Sequence, residues 1–153
     1  MAGWVGLCGR GTGSWRSCDR YQLTPSDITP SVTLDLSGIV PAAETLIRRR
    51  ADGLQISSTR PLWGFVAEAA LPDGYTPREC IALDLRVDAG TLGVAFLGSD
   101  HTTLTGEVAV GAAHDGVINL FPQVGDDCAG LIVRSIDPGD RPSVVTIRSI
   151  ELR

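Results

Sequence analysis

The sequence contains no lysine: its 13 basic residues are all arginine, set against 18 acidic residues. The net charge of −5 argues against a nucleic-acid-binding surface, because contacts to phosphates require a concentration of positive charge. The only basic run is Arg48-Arg49-Arg50, and three residues are typical of a solvated strand end. The exclusive use of arginine is typical of GC-rich coding rather than of selection for bidentate guanidinium contacts. We therefore expect no nucleic-acid partner.

The residues and motifs of common catalytic sites are also scarce. The two histidines, His101 and His114, both fall in predicted turns, where a solvated imidazole is the ordinary outcome. The chain has no Gly-x-Ser-x-Gly nucleophile elbow and no Gly-Lys-Ser/Thr phosphate loop. Asp84 and Asp88 share one face of a strand, but at ~3.3 Å per residue they lie roughly 13 Å apart, too far for paired acid–base work. We therefore expect no enzymatic activity.

Long apolar runs and targeting signals are missing as well. No run approaches the ~18 residues of a membrane span, and the N-terminus lacks the early positive charge of a secretory signal. We therefore expect a cytoplasmic protein without membrane association, in which the four cysteines are thiols. Their spacing matches no zinc pattern, and Cys80 and Cys128 are predicted to be small packing residues near strand starts.

Acidic residues cluster in two of the predicted turns, at Asp126-Asp127 and at Asp137 with Asp140. Carboxylate oxygens are ligands that Ca²⁺ prefers, so a structural Ca²⁺ is the one cofactor that these turns allow. Asp-rich turns more often bond to their own backbone, and we otherwise expect no cofactor.

Residues 1–27 differ in composition from the rest of the chain. The segment GLCGRGTGSWRSCDR carries glycine and serine without periodicity. Such a segment has too little apolar surface to offset the ~1–2 kcal/mol per residue that ordering the backbone costs. We expect a disordered or loosely docked segment there, followed by one folded domain over residues 28–153.

The clearest local pattern lies at residues 79–98, ECIALDLRVDAGTLGVAFLG. Aliphatic residues alternate with polar or small ones over residues 81–87, as in a strand with one buried face. Residues 92–97 are apolar at nearly every position, which is typical of a strand buried on both faces. Gly90 between them is free to adopt a positive φ, so the pattern predicts a β-hairpin.

Similar short apolar runs follow at intervals of about ten residues, separated by Gly, Pro and Asp turns. They lie at residues 31–36, 63–71, 104–110, 116–121, 131–136 and 143–152. The run at 63–71 also fits a short helix by composition alone. Together the runs predict an all-β fold: an antiparallel jelly-roll β-sandwich of about eight to ten strands with little helix.

Residues 39–58 allow two interpretations. One is a helix that begins near Pro41. The other is a hairpin that turns at Ala51-Asp52-Gly53 and continues as a strand to Ser58. The Asp-Gly turn favours the hairpin, and so does Val40 in the position where a helix would need a polar N-cap.

The last strand contains an irregularity. Val145 and Ile147 alternate in one phase, whereas Ile150 and Leu152 alternate in the other. A one-residue β-bulge at Arg148-Ser149 would bring all four side chains to the core. Burial on both faces near the strand ends is the alternative.

Five residues are candidates for contact with a ligand. A tryptophan after a Pro-containing turn can serve as a stacking platform or as a lid on the core. Charged residues on the polar side of the central strand and on two later strands are predicted to form one stripe across a sheet, where carboxylates and guanidinium groups suit hydroxyl recognition. An ordinary solvated face is the simpler interpretation of such a stripe. The candidates are Trp63, Asp84, Arg86, Arg134 and Arg148.

The order of these segments is familiar. An Asp-Gly turn precedes LQISST at residues 54–59, followed by PLWGF at 61–65, LDLRV at 83–87 and GTLGV at 90–94; LIVRS at 131–135 and VTIRSIEL at 145–152 close the chain. Over residues 31–153 this order resembles the galactose-binding-like jelly rolls, which include many carbohydrate-binding modules. It is most similar to accessory domains attached to bacterial sugar-modifying enzymes such as glycosyltransferases and methyltransferases.

The resemblance implies a module that binds carbohydrate or a glycan-bearing partner without catalysis, with the ligand on the concave sheet or on the loops at one end. One alternative is a protein–protein interaction or oligomerisation module that accompanies a sugar-modifying enzyme and packs by its exposed sheet. Another is an unrecognised hydrolase or isomerase on a β-barrel.

Overall fold

The computed structural model describes residues 31–58, 63–73, 75, 80–123, 127–137 and 141–153. The predicted N-terminal segment, residues 1–27, lies outside the described residues. Within the described ranges the chain forms eleven strands in two antiparallel sheets. The strands are β1 (Val32–Thr33), β2 (Ile39–Pro41), β3 (Thr45–Arg50), β4 (Gly53–Ser58), β5 (Phe65–Ala70), β6 (Ile81–Ala89), β7 (Thr91–Gly98), β8 (Leu104–Gly111), β9 (Asp115–Leu120), β10 (Cys128–Ser135) and β11 (Ser143–Leu152).

The two sheets confirm the predicted all-β sandwich. Sheet A has the order β3-β4-β11-β6-β9, with β1 paired to the end of β11. Sheet B has the order β2-β5-β10-β7-β8. One 3-10 turn, Leu36–Gly38, follows β1 and is capped by the Asp35 carboxylate, which accepts from Ser37 N at 2.8 Å. No helix in the described ranges is long and apolar enough to cross a membrane.

The core lies between the inner faces of the two sheets. Alternate residues of β6 are buried there, as the period-2 pattern predicts. Every residue from 92 to 97 in β7 is buried, which confirms the prediction of a strand covered on both faces. Phe96 is the largest of the fully buried side chains, and Tyr75 stacks on it with ring centroids 6.5 Å apart.

The predicted hairpin at residues 79–98 is wrong in its pairing. β6 lies in sheet A between β11 and β9, whereas β7 lies in sheet B between β10 and β8. Gly90 does adopt a positive φ, 78°, but its turn carries the chain from one sheet to the other. A corner between sheets and a tight hairpin share the same local pattern, because both need two strands and a permissive turn. The longer registers that β6 forms with β11 and β7 forms with β10 decide between them.

The hairpin interpretation of residues 45–58 is confirmed, and the helix is excluded. β3 and β4 pair without a break from Thr45 opposite Ser58 to Arg50 opposite Gly53. Gly53 has φ 147°, and a β-carbon there would lie 2.2 Å from the carbonyl oxygen of Ile147. The turn therefore needs glycine both for its conformation and for its close approach to β11.

The bulge predicted in the last strand is also confirmed. The register of β11 against β6 shifts between Ile147 and Ser149. Val145, Ile147, Ile150 and Leu152 are all buried as a result. The bulge also turns Arg148, between the two phases, toward the outer face of sheet A.

The run at residues 63–71 forms β5 rather than a helix. Its alternation departs from the expected one, in which Phe65 would share a face with Ala67. The register against β10 shifts between Val133 and Arg134, so Val66 and Ala67 are both buried and Phe65 is left partly exposed. The expected edge strand at 31–36 is shorter than predicted, because only β1 pairs before the chain turns.

Candidate functional site

The structure divides the predicted polar stripe between the two sheets. Asp84, Arg86 and Arg148 lie on the outer face of sheet A, where β6 and β11 are neighbours. Arg134 lies on β10 in sheet B, next to Trp63. The prediction of a single stripe is therefore wrong: the two late strands look alike in sequence but belong to different sheets.

Arg148 joins two carboxylates on sheet A. Its Nη2 lies 2.6 Å from Asp84 Oδ1 and 2.6 Å from Asp115 Oδ1, and its Nε donates to Asp84 Oδ1 at 3.0 Å. These hydrogen bonds, first to Asp84 and then to Asp115, raise the pKa of Arg148. Asp115 was missed from sequence because it falls in a predicted turn, although β9 places it opposite Arg86.

Arg86 forms a second cluster on the same face. Its Nε donates to Asp88 Oδ1 at 2.8 Å, and its Nη1 donates to Asp52 Oδ2 at 3.3 Å. The bond to Asp88 is the main cause of a raised pKa for Arg86. Thr146, fully buried, lies with its hydroxyl 3.4 Å from the other oxygen of Asp88. The charges on this face therefore bind one another, and a ligand hydroxyl would have to compete with existing ion pairs.

Trp63 is held in an uncommon backbone conformation at the entry to β5. It has φ 66°, and its N–H donates to Ser135 O on β10 at 2.7 Å. Such a φ is a genuine outlier for a bulky residue and persists only where the surrounding structure imposes it. The indole is 55% exposed. The guanidinium of Arg134 lies 4.6 Å from the ring centroid, in the range of a cation–π contact.

Arg134 is fixed in turn by Glu107. Its Nε and Nη2 donate to the two carboxylate oxygens of Glu107, and this pairing raises the pKa of Arg134. Gly93 on β7 leaves room for the carboxylate, because a β-carbon there would lie 2.1 Å from Glu107 Oε1. Phe65 pairs with Arg134 across the strands and is 38% exposed. We call Trp63, Phe65, Arg134 and Glu107 the indole platform.

Sequence patterns identified two members of the platform and missed Glu107 and Phe65. Glu107 follows Gly106, which has φ 62°, where the register of β8 against β7 is irregular. A bulge re-aims the side chains beside it. The signal available in the sequence was the pair of glycines, Gly93 and Gly106, inside strand patterns, since such a glycine often marks a bulge or a close approach.

The two histidines do not converge on either cluster. His101 is exposed in a turn, with Nδ1 3.8 Å from Glu68 Oε1. His114 Nε2 lies 3.4 Å from Gly116 O. No group of three or more His, Cys, Asp or Glu side chains suited to a metal ion occurs in the described part of the chain. Asp126 and Asp140, half of each proposed Ca²⁺ turn, lie outside it.

Cys80 and Cys128 are thiols near the starts of β6 and β10, as predicted. Cys128 packs against the core. Burial raises the pKa of Cys80, whose Sγ lies 3.7 Å from the side-chain oxygen of Asn119. Cys8 and Cys18 fall outside the described residues.

The fold is that of known carbohydrate-binding modules. A xylan-binding module, CBM15, superposes with a TM-score of 0.56 over 80% of this chain and 95% of its own, at 14% identity. A family 29 carbohydrate-binding module from Piromyces equi, CBM29_1, gives a TM-score of 0.54 over 80% of this chain and 84% of its own, at 15% identity. No protein-family model matches the sequence, and no curated protein matches it. At such identities the likeness establishes the sandwich fold.

Proposed function

We propose that this chain is a non-catalytic carbohydrate-binding module that stacks a sugar ring on the indole platform. The observation that carries the proposal is Trp63: a large, flat, 55% exposed ring whose one face rests on a fixed guanidinium. The fold shared with two carbohydrate-binding modules supports it. In this proposal the module brings a sugar-modifying enzyme to its glycan.

Stacking is the interaction for which Trp63 is suited. One face of a pyranose ring carries mostly C–H groups, and covering an indole with it removes apolar surface of both partners from water. Arg134 occupies one face of the indole, so the sugar takes the other.

The platform is ordered before a ligand arrives. The Trp63 backbone is tied to β10 by its hydrogen bond to Ser135, and the indole is fixed through Arg134 to Glu107. Immobilising a side chain on binding costs ~0.5–1.5 kcal/mol. Here folding has already met that cost, which raises affinity without any additional contact.

The charges of the platform favour a neutral sugar. The positive charge of Arg134 is matched by Glu107 through two hydrogen bonds. A uronic acid would have to displace Glu107 to gain an ion pair of its own.

The carboxylates of sheet A do not suggest glycosidase chemistry. Asp84 and Asp115 both accept from the same nitrogen of Arg148. A glycosidase needs one protonated carboxyl as the general acid. Two carboxylates that share a guanidinium are both arranged as acceptors, which favours a structural role on this face.

A protein–protein interaction or oligomerisation role is the alternative. It is favoured by Leu46 and Val117, exposed apolar residues on the outer face of sheet A. Sugar binding would use Trp63, which precedes β5 of sheet B, whereas contacts with a protein would use these residues.

Glycan-array screening with three variants separates the two roles. Trp63→Ala should weaken binding to any neutral glycan by about tenfold, taking the ~1–3 kcal/mol of a base stacked on an aromatic side chain as the guide to the size of the effect. Arg86→Ala, on the other sheet, should leave binding unchanged, and Leu46→Ala serves as the matched loss of an exposed apolar side chain. Equal losses in Trp63→Ala and Arg86→Ala, or no binding of any glycan by the wild-type protein, would contradict the proposal.

A further inference from the structure

The strands at the edges of the two sheets differ in how well they are protected from pairing with another chain. An exposed edge presents unpaired N–H and C=O groups, and proteins usually blunt it with charge, proline, a bulge or short length. β3 carries Arg48, Arg49 and Arg50. β2 is three residues long and ends in Pro41, β8 is irregular at Gly106, and β1 has two residues.

β9 has little of this protection: its one charged residue, Asp115, stands at its start and is paired with Arg148. The strand pairs with β6 on one side, and no described strand pairs with its other side. From Gly116 to its end at Leu120 the strand has no charge and no proline, and the next residue is Phe121. β9 is therefore the least protected edge among the described strands.

The hydrogen bonds of the neighbouring strand show which groups of β9 are available. Just before β6, Cys80 exchanges both backbone hydrogen bonds with Arg153 on the β11 side, at 2.9 and 2.8 Å. Val87 instead donates to His114 O, on the β9 side, at 2.9 Å. Because an antiparallel strand alternates sides with each residue, even-numbered residues of β6 bond toward β11 and odd-numbered ones toward β9.

The pairing of β6 with β9 shows which backbone groups of β9 point toward β6 and which point away from it. Leu83 pairs with Ile118, so the backbone groups of Ile118 bond toward β6. Those of Val117 and Asn119 therefore point to the open side. The side chains of the same two residues lie on the outer face of sheet A, because Val117 is opposite Asp84.

The exposed side chains of this edge are complementary to themselves. Val117 in β9 is 50% exposed, and Phe121, the residue that follows the strand, is 67% exposed. If two copies align antiparallel with Asn119 opposite Asn119, Val117 of each copy lies beside Phe121 of the other. Pairs of aromatic and β-branched residues contribute roughly 0.2–1 kcal/mol each across strands.

We propose that two copies of this chain associate through β9, joining their two A sheets into one continuous antiparallel sheet. No like charges meet in this register, since residues 116–121 are uncharged. Pairing of β9 with β3 or β2 of another copy would meet three arginines or a proline instead. Only the symmetric pairing uses the same edge twice, and it leaves no unprotected described edge behind.

The size and charge of the interface predict its behaviour. One pair of six-residue strands buries less than the roughly 1,200 Å² of a stable complex, so the dimer should be weak and concentration-dependent. Each copy carries a net charge of −5, so the copies repel each other at low ionic strength. Added salt should therefore strengthen the association.

Sedimentation equilibrium over a wide concentration range tests the proposal. Val117→Lys places a charge in each half of the interface and should weaken dimerisation by about tenfold or more. Val40→Lys is the matched control, because Val40 is 65% exposed on the edge strand β2 and lies outside the interface. This control should dimerise as the wild-type chain does.

Asn119→Pro provides a second test that acts on the backbone. It removes the outward N–H at the centre of the interface, and with it two hydrogen bonds per dimer. Proline is tolerated on an edge strand where the N–H points away from the sheet, so the melting temperature should stay close to that of the wild type. Loss of dimerisation in Val117→Lys and in folded Asn119→Pro, but not in Val40→Lys, supports the proposal. A wild-type chain that is monomeric at every concentration, or a dimer unchanged by both variants, overturns it.

Discussion

Replacing Gly93 by alanine tests whether the indole platform depends on the packing beneath it. A β-carbon at this position would lie 2.1 Å from Glu107 Oε1 and 3.3 Å from Ile136 Cγ2. The first distance is far inside van der Waals contact, so the carboxylate of Glu107 must move. Its bidentate hydrogen bonds to Arg134 are then lost, and Arg134 no longer has a fixed position beneath the Trp63 ring.

The expected changes in stability are small and opposite in sign. Gly93 does not have a positive φ, and alanine at a compatible position adds ~0.4–1 kcal/mol to the free energy of unfolding. Loss of an ion pair that lies at the surface removes ~0.2–1 kcal/mol. We therefore expect the free energy of unfolding to change by less than about 1 kcal/mol.

The expected change in binding has one direction, unlike the opposed changes in stability. An indole that Arg134 no longer fixes must be immobilised on binding, at a cost of ~0.5–1.5 kcal/mol, which corresponds to about a two- to twelvefold rise in the dissociation constant for a neutral glycan. Isothermal titration measures this constant, and urea unfolding measures stability on the same samples. Gly111→Ala is the control, because the nearest atom to its added carbon is Thr91 Oγ1 at 4.0 Å. Wild-type affinity in a stably folded Gly93→Ala protein would refute the role of the Arg134–Glu107 pair.

Three further predictions concern the fold. Ser143 has a buried hydroxyl without a hydrogen-bond partner in the described structure. Ser143→Ala should therefore raise the free energy of unfolding, measured by urea titration, by about 1 kcal/mol. A decrease of that size would show that the hydroxyl makes a hydrogen bond. Gly53→Ala should lower the free energy of unfolding by about 3 kcal/mol or more, because the added β-carbon would lie 2.2 Å from the carbonyl oxygen of Ile147. Gly116→Ala is the control, because Gly116 has the same positive φ but an added β-carbon there meets nothing within 4 Å, so the loss of stability should be clearly smaller. Equal losses in the two variants would contradict the predicted collision. Asp100 accepts hydrogen bonds from the Thr103 hydroxyl and from the N–H groups of Thr103 and Thr102, which hold its pKa well below the usual range. The stabilisation by the Asp100 carboxylate is therefore present above the pKa of the unfolded chain, about 3.9, and is lost as the pH falls toward the lower pKa of the folded protein. The difference in stability between the wild type and Asp100→Asn should shrink below about pH 4. A difference that grows below this pH would contradict the assignment.

Periodicity in the sequence was sufficient for features that depend on neighbours along the chain. The β3–β4 turn at Asp52-Gly53 and the change of phase after Ile147 are local, and the structure confirms both. In each case a buried face restricts the register to one choice, because a slip of one residue moves every side chain to the opposite face.

Local sequence patterns do not predict which distant strands pair with each other. The sequence around Gly90 fits a hairpin and a corner between sheets equally well, and only the partners of β6 and β7 distinguish them. The same limit explains the split of the predicted stripe. Arg134 and Arg148 have similar local sequences, but β10 and β11 lie in different sheets.

The candidate site was predictable only where one residue carried the signal. Trp63, two residues after Pro61 in the sequence, is conspicuous in a chain with 5% aromatic residues. Glu107 is one of 18 acidic residues, and its role depends on a bulge in β8 and on the absence of a side chain at Gly93. Those relations exist only once three strands are side by side.

The most direct measurement of the central claim is a titration of the ¹⁵N-labelled protein with a glycan that it binds, followed by NMR. The Trp63 indole N–H and the Arg134 Nε–H should shift progressively with ligand, and a Trp63→Phe sample identifies the indole signal among the three tryptophans. Resonances of Arg86 and Thr146 on sheet A should stay in place. Shifts confined to Arg86 and Thr146, with the Trp63 indole unmoved, would contradict the account.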